Sequence, residues 1–231
     1  MNESYDKAYE LIESTLINNG KLLDCGAYNG YIYSALQQRM GLDKEAYYGI
    51  EWNQKHVNEG REKGLNIEQG DLNKGMKYNN DSFDCICALS VLEHLLNPCK
   101  YLAESHRVLK NNGRLVLLTP NISTYFTAVL ILLGKMPSTG PHPDSEALIT
   151  NQQPLVLSDN ASIRDIESDT PVHRHLVVFS YRVLHRYLQM IGFREIQGYG
   201  FGLYPFPNFM QPWLEKIDPY HCHQMVFVAT K

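Results

Sequence analysis

Three acids in this chain stand at or just after the end of a strand-like segment. Asp24 follows Leu22-Leu23 and opens the turn Cys25-Gly26-Ala27-Tyr28-Asn29-Gly30, Glu51 closes Gly49-Ile50, and Asp71 follows Gly70. A carboxylate in such a place accepts hydrogen bonds from ligand hydroxyls or amines and favours positive charge nearby. Gly26 and Gly30 let the backbone approach a ligand closely, and the amides of a helix that starts there would face it. A pyrophosphate-binding turn needs Gly-x-Gly-x-x-Gly, whereas the spacing here is Gly26-x-x-x-Gly30 with an acid two residues ahead. The turn suits a cationic group better than a pyrophosphate. Glu51, about 25 residues beyond Gly26, falls near the offset at which an acid binds ribose hydroxyls.

Histidine is the second chemical resource. His94 ends the run Leu89-Ser90-Val91-Leu92-Glu93-His94, His142 lies in a proline-rich stretch, and His173 and His175 precede Phe179-Ser180. An imidazole titrates near neutrality and can take a proton from a reacting hydroxyl, so His94, His173 and His175 are the candidate bases. Each also has a plain reading as a satisfied structural histidine. His173-Arg174-His175 and His221-Cys222-His223 would place imidazoles on one face of an extended chain. Neither matches an established zinc spacing, so no metal ligand is expected.

Regular elements must hold these groups. Tyr5, Ala8, Tyr9, Ile12 and Leu16 recur at helical spacing over residues 3 to 18, and Asn18-Asn19-Gly20 ends that helix. Strands are then expected at 21–25, 46–51, 65–68, 83–89 and 114–119. Helices are expected at 31–40, 54–63 and from Asn97-Pro98 to Lys110, the last stopped by Asn111-Asn112-Gly113. Such alternation indicates an α/β, doubly wound, mostly parallel sheet with helices on both faces. Its carboxyl edge, where open sheets of this kind bind ligands, carries Asp24, Glu51, Asp71 and the Leu89 to His94 run.

The alternation breaks from Asn121 to His175. One apolar helix, Thr124 to Leu133, is followed by Pro137, Gly140, Pro141, Pro143 and Pro154. An insertion so long reads as a functional lid or a disordered excursion, and the lid is the favoured reading. Within 136–172 it holds Asp144, Glu146, Asp159, Asp165, Glu167 and Asp169 against Arg164 alone, so it accounts for the whole net charge of −4. Tyr125, Phe126, Val129, Leu130 and Leu133 form an apolar stripe; its plain reading is core packing, and its functional reading is a cover over substrate in preference to a membrane-docking face. A helix at 181–191 closed by Gly192, strands at 195–199 and 224–230, and an aromatic, proline-rich loop from Phe201 to Pro219 complete the chain.

Composition narrows the class further. With 231 residues and 44% hydrophobic content the chain can bury a full core, and its 21 basic and 25 acidic residues form no basic run. Nucleic acid is therefore not an expected partner. Five cysteines, an odd number with Cys85 and Cys87 inside an apolar run, argue for reduced thiols in a cytoplasmic protein. The start, Met-Asn-Glu-Ser-Tyr-Asp-Lys, lacks the order of a signal peptide, and the apolar run at 128–133 is too short for a transmembrane segment.

These residues together resemble the class I S-adenosylmethionine-dependent methyltransferases. The similar segments are Leu22 to Gly30, Gly49-Ile50-Glu51, Gly70-Asp71-Leu72, Phe83-Asp84 to Leu95, Arg107 to Gly113 and Thr119-Pro120-Asn121. One departure is that Tyr28 or Asn29 replaces the usual second glycine of the loop. The resemblance implies a Rossmann-like sheet of seven strands with an antiparallel last strand, an N-terminal helix and a lid insertion after the fifth strand. It implies that Asp24, Gly26, Ala27, Tyr28 and Gly30 hold the methionine and sulfonium part of S-adenosylmethionine, and Glu51 the ribose hydroxyls. Asp71 would meet the adenine amino group, Trp52 and Leu72 would sandwich the ring, and Leu89 would lend its backbone. A His-x-x-x-Phe-Ser arrangement like that at His175 recurs in relatives acting on small molecules, sugars and lipids.

The expectation is thus a single domain over 1–231: helix at 1–20, cofactor-binding core at 21–120, lid at 121–175, C-terminal helix and strands at 176–231. Methyl transfer to a small or medium-sized acceptor, with oxygen slightly preferred, would leave S-adenosylhomocysteine. The acceptor could be a sugar or lipid precursor, and a homodimer is compatible with the sequence. The alternatives are a nicotinamide-dinucleotide oxidoreductase and a non-catalytic methyltransferase-like binding protein.

Overall fold

Successive residues of a strand face opposite sides, so the apolar runs of this chain feed two cores at once. Leu22, Cys85, Cys87, Val116 and Leu118 face one core, while Leu23, Cys25, Ile86, Ala88, Leu115 and Leu117 face the other. All these residues are buried, as a central parallel sheet covered on both faces requires. The structure is a computed structural model that describes residues 2–16, 20–135, 137, 175–207 and 209–231. His142, His173 and the acids between 144 and 169 lie outside the described residues.

The strands are β1 (Leu22–Cys25), β2 (Tyr47–Glu51), β3 (Asn66–Gln69), β4 (Phe83–Leu89), β5 (Leu109–Pro120), β6 (Arg194–Phe201) and β7 (Gln224–Thr230). They form a 7-stranded sheet in the order β3-β2-β1-β4-β5-β7-β6. Strand β1 pairs in parallel with β2 and β4, and β7 runs antiparallel to both β5 and β6. The expected reversed last strand is therefore present. The helices are α1 (Asn2–Thr15), α2 (Tyr31–Met40), α3 (Gln54–Glu62), α4 (Pro98–Val108), α5 (Tyr125–Leu132), α6 (Tyr181–Ile191) and α7 (Gln211–Ile217). Helix α1 buries Ala8, Tyr9, Leu11 and Ile12 in the core that also receives Leu22 and Val116.

Three local expectations need correction. Asn111-Asn112-Gly113 does not stop a helix: α4 ends at Val108 and these residues lie inside β5. They form an irregularity there, because the register jumps from Phe83↔Leu109 to Cys85↔Arg114 and Asn112 takes φ 65°. The aromatic loop between β6 and β7 contains α7, whose 7 residues and first-turn proline give it the local composition of a loop. Helix α1 ends at Thr15, short of Asn18.

Helix α5 is held at its start by a reciprocal cap, in which Thr127 donates its N–H to the Thr124 hydroxyl and Thr124 N–H returns to the Thr127 hydroxyl. Of its apolar stripe only Leu130 is buried; Tyr125, Val129 and Leu133 are exposed among the described residues.

Candidate functional site

Strand β1 ends in a carboxylate with no exposure at all. Asp24 is 0% exposed. It accepts a hydrogen bond from the Tyr47 hydroxyl at 2.7 Å and faces the Cys87 thiol at 3.7 Å. Burial pushes its pKa up to about 7, with the Tyr47 and Cys87 hydrogen bonds acting the other way. Asp24 is absent from the walls of the two cavities described below.

The turn itself is shaped by its glycines. Gly26 has φ 82°, and a Cβ there would stand 2.4 Å from Cγ2 of Val91. Gly30, with φ 85°, precedes α2, and a Cβ on it would meet Leu65 at 2.1 Å. The N–H groups of Gly26 and Ala27 both donate to the carbonyl of Ile50, tying the turn to the end of β2. Tyr28, standing near the place of the usual glycine, takes φ 49°, a left-handed conformation that glycine adopts without cost. Its ring lies 3.9 Å from that of His56.

Glu51 closes the gap between turn and second strand. One carboxylate oxygen accepts the Tyr28 N–H at 2.9 Å and the other accepts the Asn53 N–H at 2.8 Å. Trp52, 47% exposed, stands beside it, and Leu72 is buried. Asp71 turns one oxygen toward Asn73, accepting from its backbone N–H at 3.0 Å and its side-chain amide at 3.1 Å. Asn73 in turn accepts from the N–H groups of Leu96 and Asn97. Asp71 thus also organises the loop after β3. Gly26, Tyr28, Glu51, Trp52, Asp71, Leu72, Leu89 and His94 all line one cavity of about 440 Å³, a size within the usual range of small-molecule sites.

The far end of that cavity is built by the residues after β4. Ser90 takes φ 57°, and its hydroxyl lies 3.1 Å from that of Tyr5 on α1. Residues 92–94 make a single 3-10 turn. Its Glu93 carbonyl accepts the N–H groups of Leu176 at 2.7 Å and Val177 at 3.3 Å, which pins the segment carrying His175 against the turn. The His94 and His175 rings consequently meet edge to face, 5.1 Å apart. Burial, then the neighbouring His94 and His223, push the pKa of His175 down to about 4, so it is neutral at physiological pH. Glu93 is 2% exposed and accepts from the Thr119 hydroxyl at 2.9 Å. Burial pushes its carboxyl up to about 7.

A second cavity, about 600 Å³, shares Gly26, Tyr28 and Leu89 with the first and is otherwise lined by Tyr5, Asp6, Tyr9, Ala27, Tyr31 and Ile32. By their helical spacing Tyr5 and Tyr9 belong to the packing face of α1. Their spacing of four marks one helix face, but nothing local shows that this face ends over the Gly26 turn. The same holds for Glu93 and Thr119, which the fold joins across two strands. Of the expected pairs of imidazoles, His221 is occupied elsewhere: its ring stacks on Tyr125 and its Nδ1 lies 2.8 Å from Asp218.

A seven-stranded sheet of this order, with its last strand reversed and a cavity at the carboxyl ends of β1, β2 and β4, is the architecture of the class I S-adenosylmethionine-dependent methyltransferases. Residues 1–197 match the family model described as a methyltransferase domain, and the chain belongs to that family. The nicotinamide-dinucleotide alternative is set aside by that match. Among solved structures, the chain is similar to a methyltransferase of Thermotoga maritima described as a possible histamine N-methyltransferase. The TM-score is 0.61 at 14% identity, covering 99% of this chain and 89% of the other. It also resembles an S-adenosylmethionine-dependent methyltransferase of Mesorhizobium loti, with TM-score 0.58, 14% identity and coverage of 97% and 98%. A third neighbour is phosphoethanolamine N-methyltransferase 2 of Haemonchus contortus in complex with S-adenosylmethionine, with TM-score 0.61, 12% identity and coverage of 98% and 52%. A curated Streptomyces fradiae protein, described as an uncharacterized 37.1 kDa transposon protein, is 35% identical over 78 residues, which is 32% of this chain and 22% of that protein. No helix among the described residues is long and apolar enough to cross a membrane.

Proposed function

We propose that this chain transfers a methyl group from S-adenosylmethionine to a small or medium-sized acceptor, with a hydroxyl oxygen as the favoured nucleophile. The chemistry of the donor set fits the cofactor: a carboxylate for a diol, a second acid for an amine, an aromatic and an aliphatic side chain for a purine ring. Bound there, the cofactor supplies an electrophilic methyl group on a sulfonium. Glu51 takes the ribose hydroxyls, and since its oxygens are already oriented by Tyr28 and Asn53, little ordering is lost on binding. Trp52 and Leu72 flank the adenine, Asp71 meets its amino group, and the Gly26–Gly30 turn with the Leu89 backbone carries the methionine end. Asp24 holds that turn from behind.

His94 sits at the acceptor end of the same cavity and takes the proton from the acceptor hydroxyl. His175 stays neutral beside it and fixes its surroundings. The observation that carries this reading is the pinned Glu51 carboxylate at the mouth of a cavity that runs on to His94. Calorimetric titration with S-adenosylmethionine and S-adenosylhomocysteine tests it. Saturable binding of both at one site per chain is expected, and a chain that binds neither overturns the assignment.

A further inference from the structure

Among the described residues, one group of three potential metal ligands converges: Glu93, His94 and His175 each offer a ligand atom, all within 4.8 Å of one another. We propose that these residues bind one divalent transition-metal ion, of the zinc or cobalt kind, at the acceptor end of the cavity. The proposal goes beyond the methyl-transfer reading and stands on these three residues alone.

The backbone does the assembling. Glu93 and His94 sit on one 3-10 turn after β4, and the two N–H groups of Leu176 and Val177 clamp the His175 segment to the Glu93 carbonyl. The ring geometry suits an ion between the imidazoles. With metal–nitrogen bonds of about 2.0–2.1 Å and a ring nitrogen roughly 1.1 Å from the ring centre, two ligating imidazoles at a tetrahedral angle have centres about 5 Å apart. The observed separation is 5.1 Å, with ring planes at 74°. Ligand atoms around one such ion lie about 3–4 Å apart, so the set draws in from its outer bound of 4.8 Å when it holds the ion.

The chemistry of the set chooses the ion. Two imidazoles and one carboxylate favour first-row transition metals over magnesium or calcium, which prefer all-oxygen shells. Glu93 is 2% exposed, and a carboxylate buried that deeply is stabilised by a cation close to it. The Thr119 hydroxyl, donating to one oxygen of the same group, orients it as hydrogen-bonded partners orient metal-binding carboxylates. Three protein ligands leave a tetrahedral ion one further position, which water takes. A bound ion occupies the His94 lone pair, so metal occupancy and proton removal by His94 exclude each other. The ion is thus an inhibitor of transfer to an acceptor that relies on that base.

The full chain, freed of metal by chelation, is titrated with cobalt(II) chloride alone and followed by visible absorption, then with zinc in competition. One cobalt per chain is expected, with a d–d band displaced by zinc. His175→Gln and Glu93→Gln are each expected to weaken cobalt binding at least tenfold, while His185→Gln, on α6, leaves it unchanged. Near-UV circular dichroism of each variant reports whether the fold is retained. Absence of cobalt uptake by the unsubstituted chain overturns the proposal whatever the variants do. Uptake that His175→Gln and Glu93→Gln leave unchanged in folded protein overturns it equally. S-adenosylmethionine affinity, read by calorimetry on the same samples, tests the methyltransferase reading separately: cofactor binding without metal uptake sinks only the metal site.

Discussion

Tyr28 donates its backbone N–H to one oxygen of Glu51 at 2.9 Å, joining the turn after β1 to the acid at the end of β2. A second backbone donor, Asn53, holds the other oxygen at 2.8 Å. The carboxylate is therefore set before any ligand arrives. Hydrogen bonds to a charged group are worth about 1.5–3 kcal/mol each. Glu51→Ala is expected to weaken S-adenosylmethionine binding by roughly 10- to 100-fold or more, with Glu51→Gln between the two. Calorimetry reads this directly. An affinity unchanged in Glu51→Ala would move the ribose elsewhere.

Gly26 carries the sharpest steric demand in the turn. A Cβ at this position combines φ 82° with a contact of 2.4 Å to Val91. Gly26→Ala is expected to displace Val91 and the turn together, lowering the melting temperature and weakening cofactor binding by at least tenfold. Gly41, with φ 71° and nothing within 4 Å of its would-be Cβ, is the control for backbone strain without a clash. Thermal melting of Gly26→Ala against Gly41→Ala separates the two causes, and equal losses in both stability and binding would refute the packing argument.

Asp24 predicts a pH dependence. Its carboxyl is pushed from an ordinary 3.8 up to about 7 by burial. Between these values the folded chain holds a proton that the unfolded chain has lost, so unfolding releases it. The contribution to stability is complete below about pH 3.8 and is lost as the pH rises through about 7. Asp24→Asn keeps an acceptor for the Tyr47 hydroxyl and cannot ionise. The asparagine chain should be the more stable one at pH 8, by on the order of 1–3 kcal/mol, and the difference should shrink toward pH 4. Urea denaturation at both pH values checks this; a variant less stable at pH 8 would contradict it. Asp24→Ala, by contrast, leaves the buried Tyr47 hydroxyl without its acceptor and is expected to destabilise the fold at every pH.

His94 separates binding from chemistry. It lines the same cavity as Glu51, Trp52 and Asp71, and the proposed function assigns it to the acceptor and not to the cofactor. His94→Gln should leave S-adenosylmethionine affinity within about threefold and lower turnover of a hydroxyl acceptor by roughly 10²- to 10⁴-fold. Single-turnover assays with acceptors identified by screening supply the rate. Full activity in the glutamine variant would remove His94 from the proton transfer.

Much of this architecture was legible before any coordinates. Helices α2 and α6 and strands β4 and β7 begin and end where the sequence pattern places them, because Gly30, Gly41 and Gly192 punctuate the amphipathic helices and the apolar strand runs stop at polar residues on both sides. The irregularity at Asn112 was not legible, since Asn-Asn-Gly stops a helix and distorts a strand by the same left-handed conformation. Helix α7 was hidden in a loop composition. The direction in which Asp24 faces was hidden as well: an acid at a strand end reads as a ligand-facing group, and only the packing of Tyr47 and Cys87 turns it inward.

What the sequence determined alone was the alternation of strands and helices from β1 to β5 and the edge of the sheet at which Glu51 and Asp71 stand. Apolar periodicity, glycine spacing and acids at strand ends are local properties, and local chemistry suffices to write them. Tertiary structure decided which distant residues share a site. Tyr5 meets Ser90 across 85 positions, and Glu93 and His94 meet His175 across about eighty. Such meetings depend on how α1 and the segment before α6 fold back over the sheet. Their physical cause is the close packing of two cores and a few backbone hydrogen bonds, such as Leu176 to Glu93, that leave no trace in the residue types on either side.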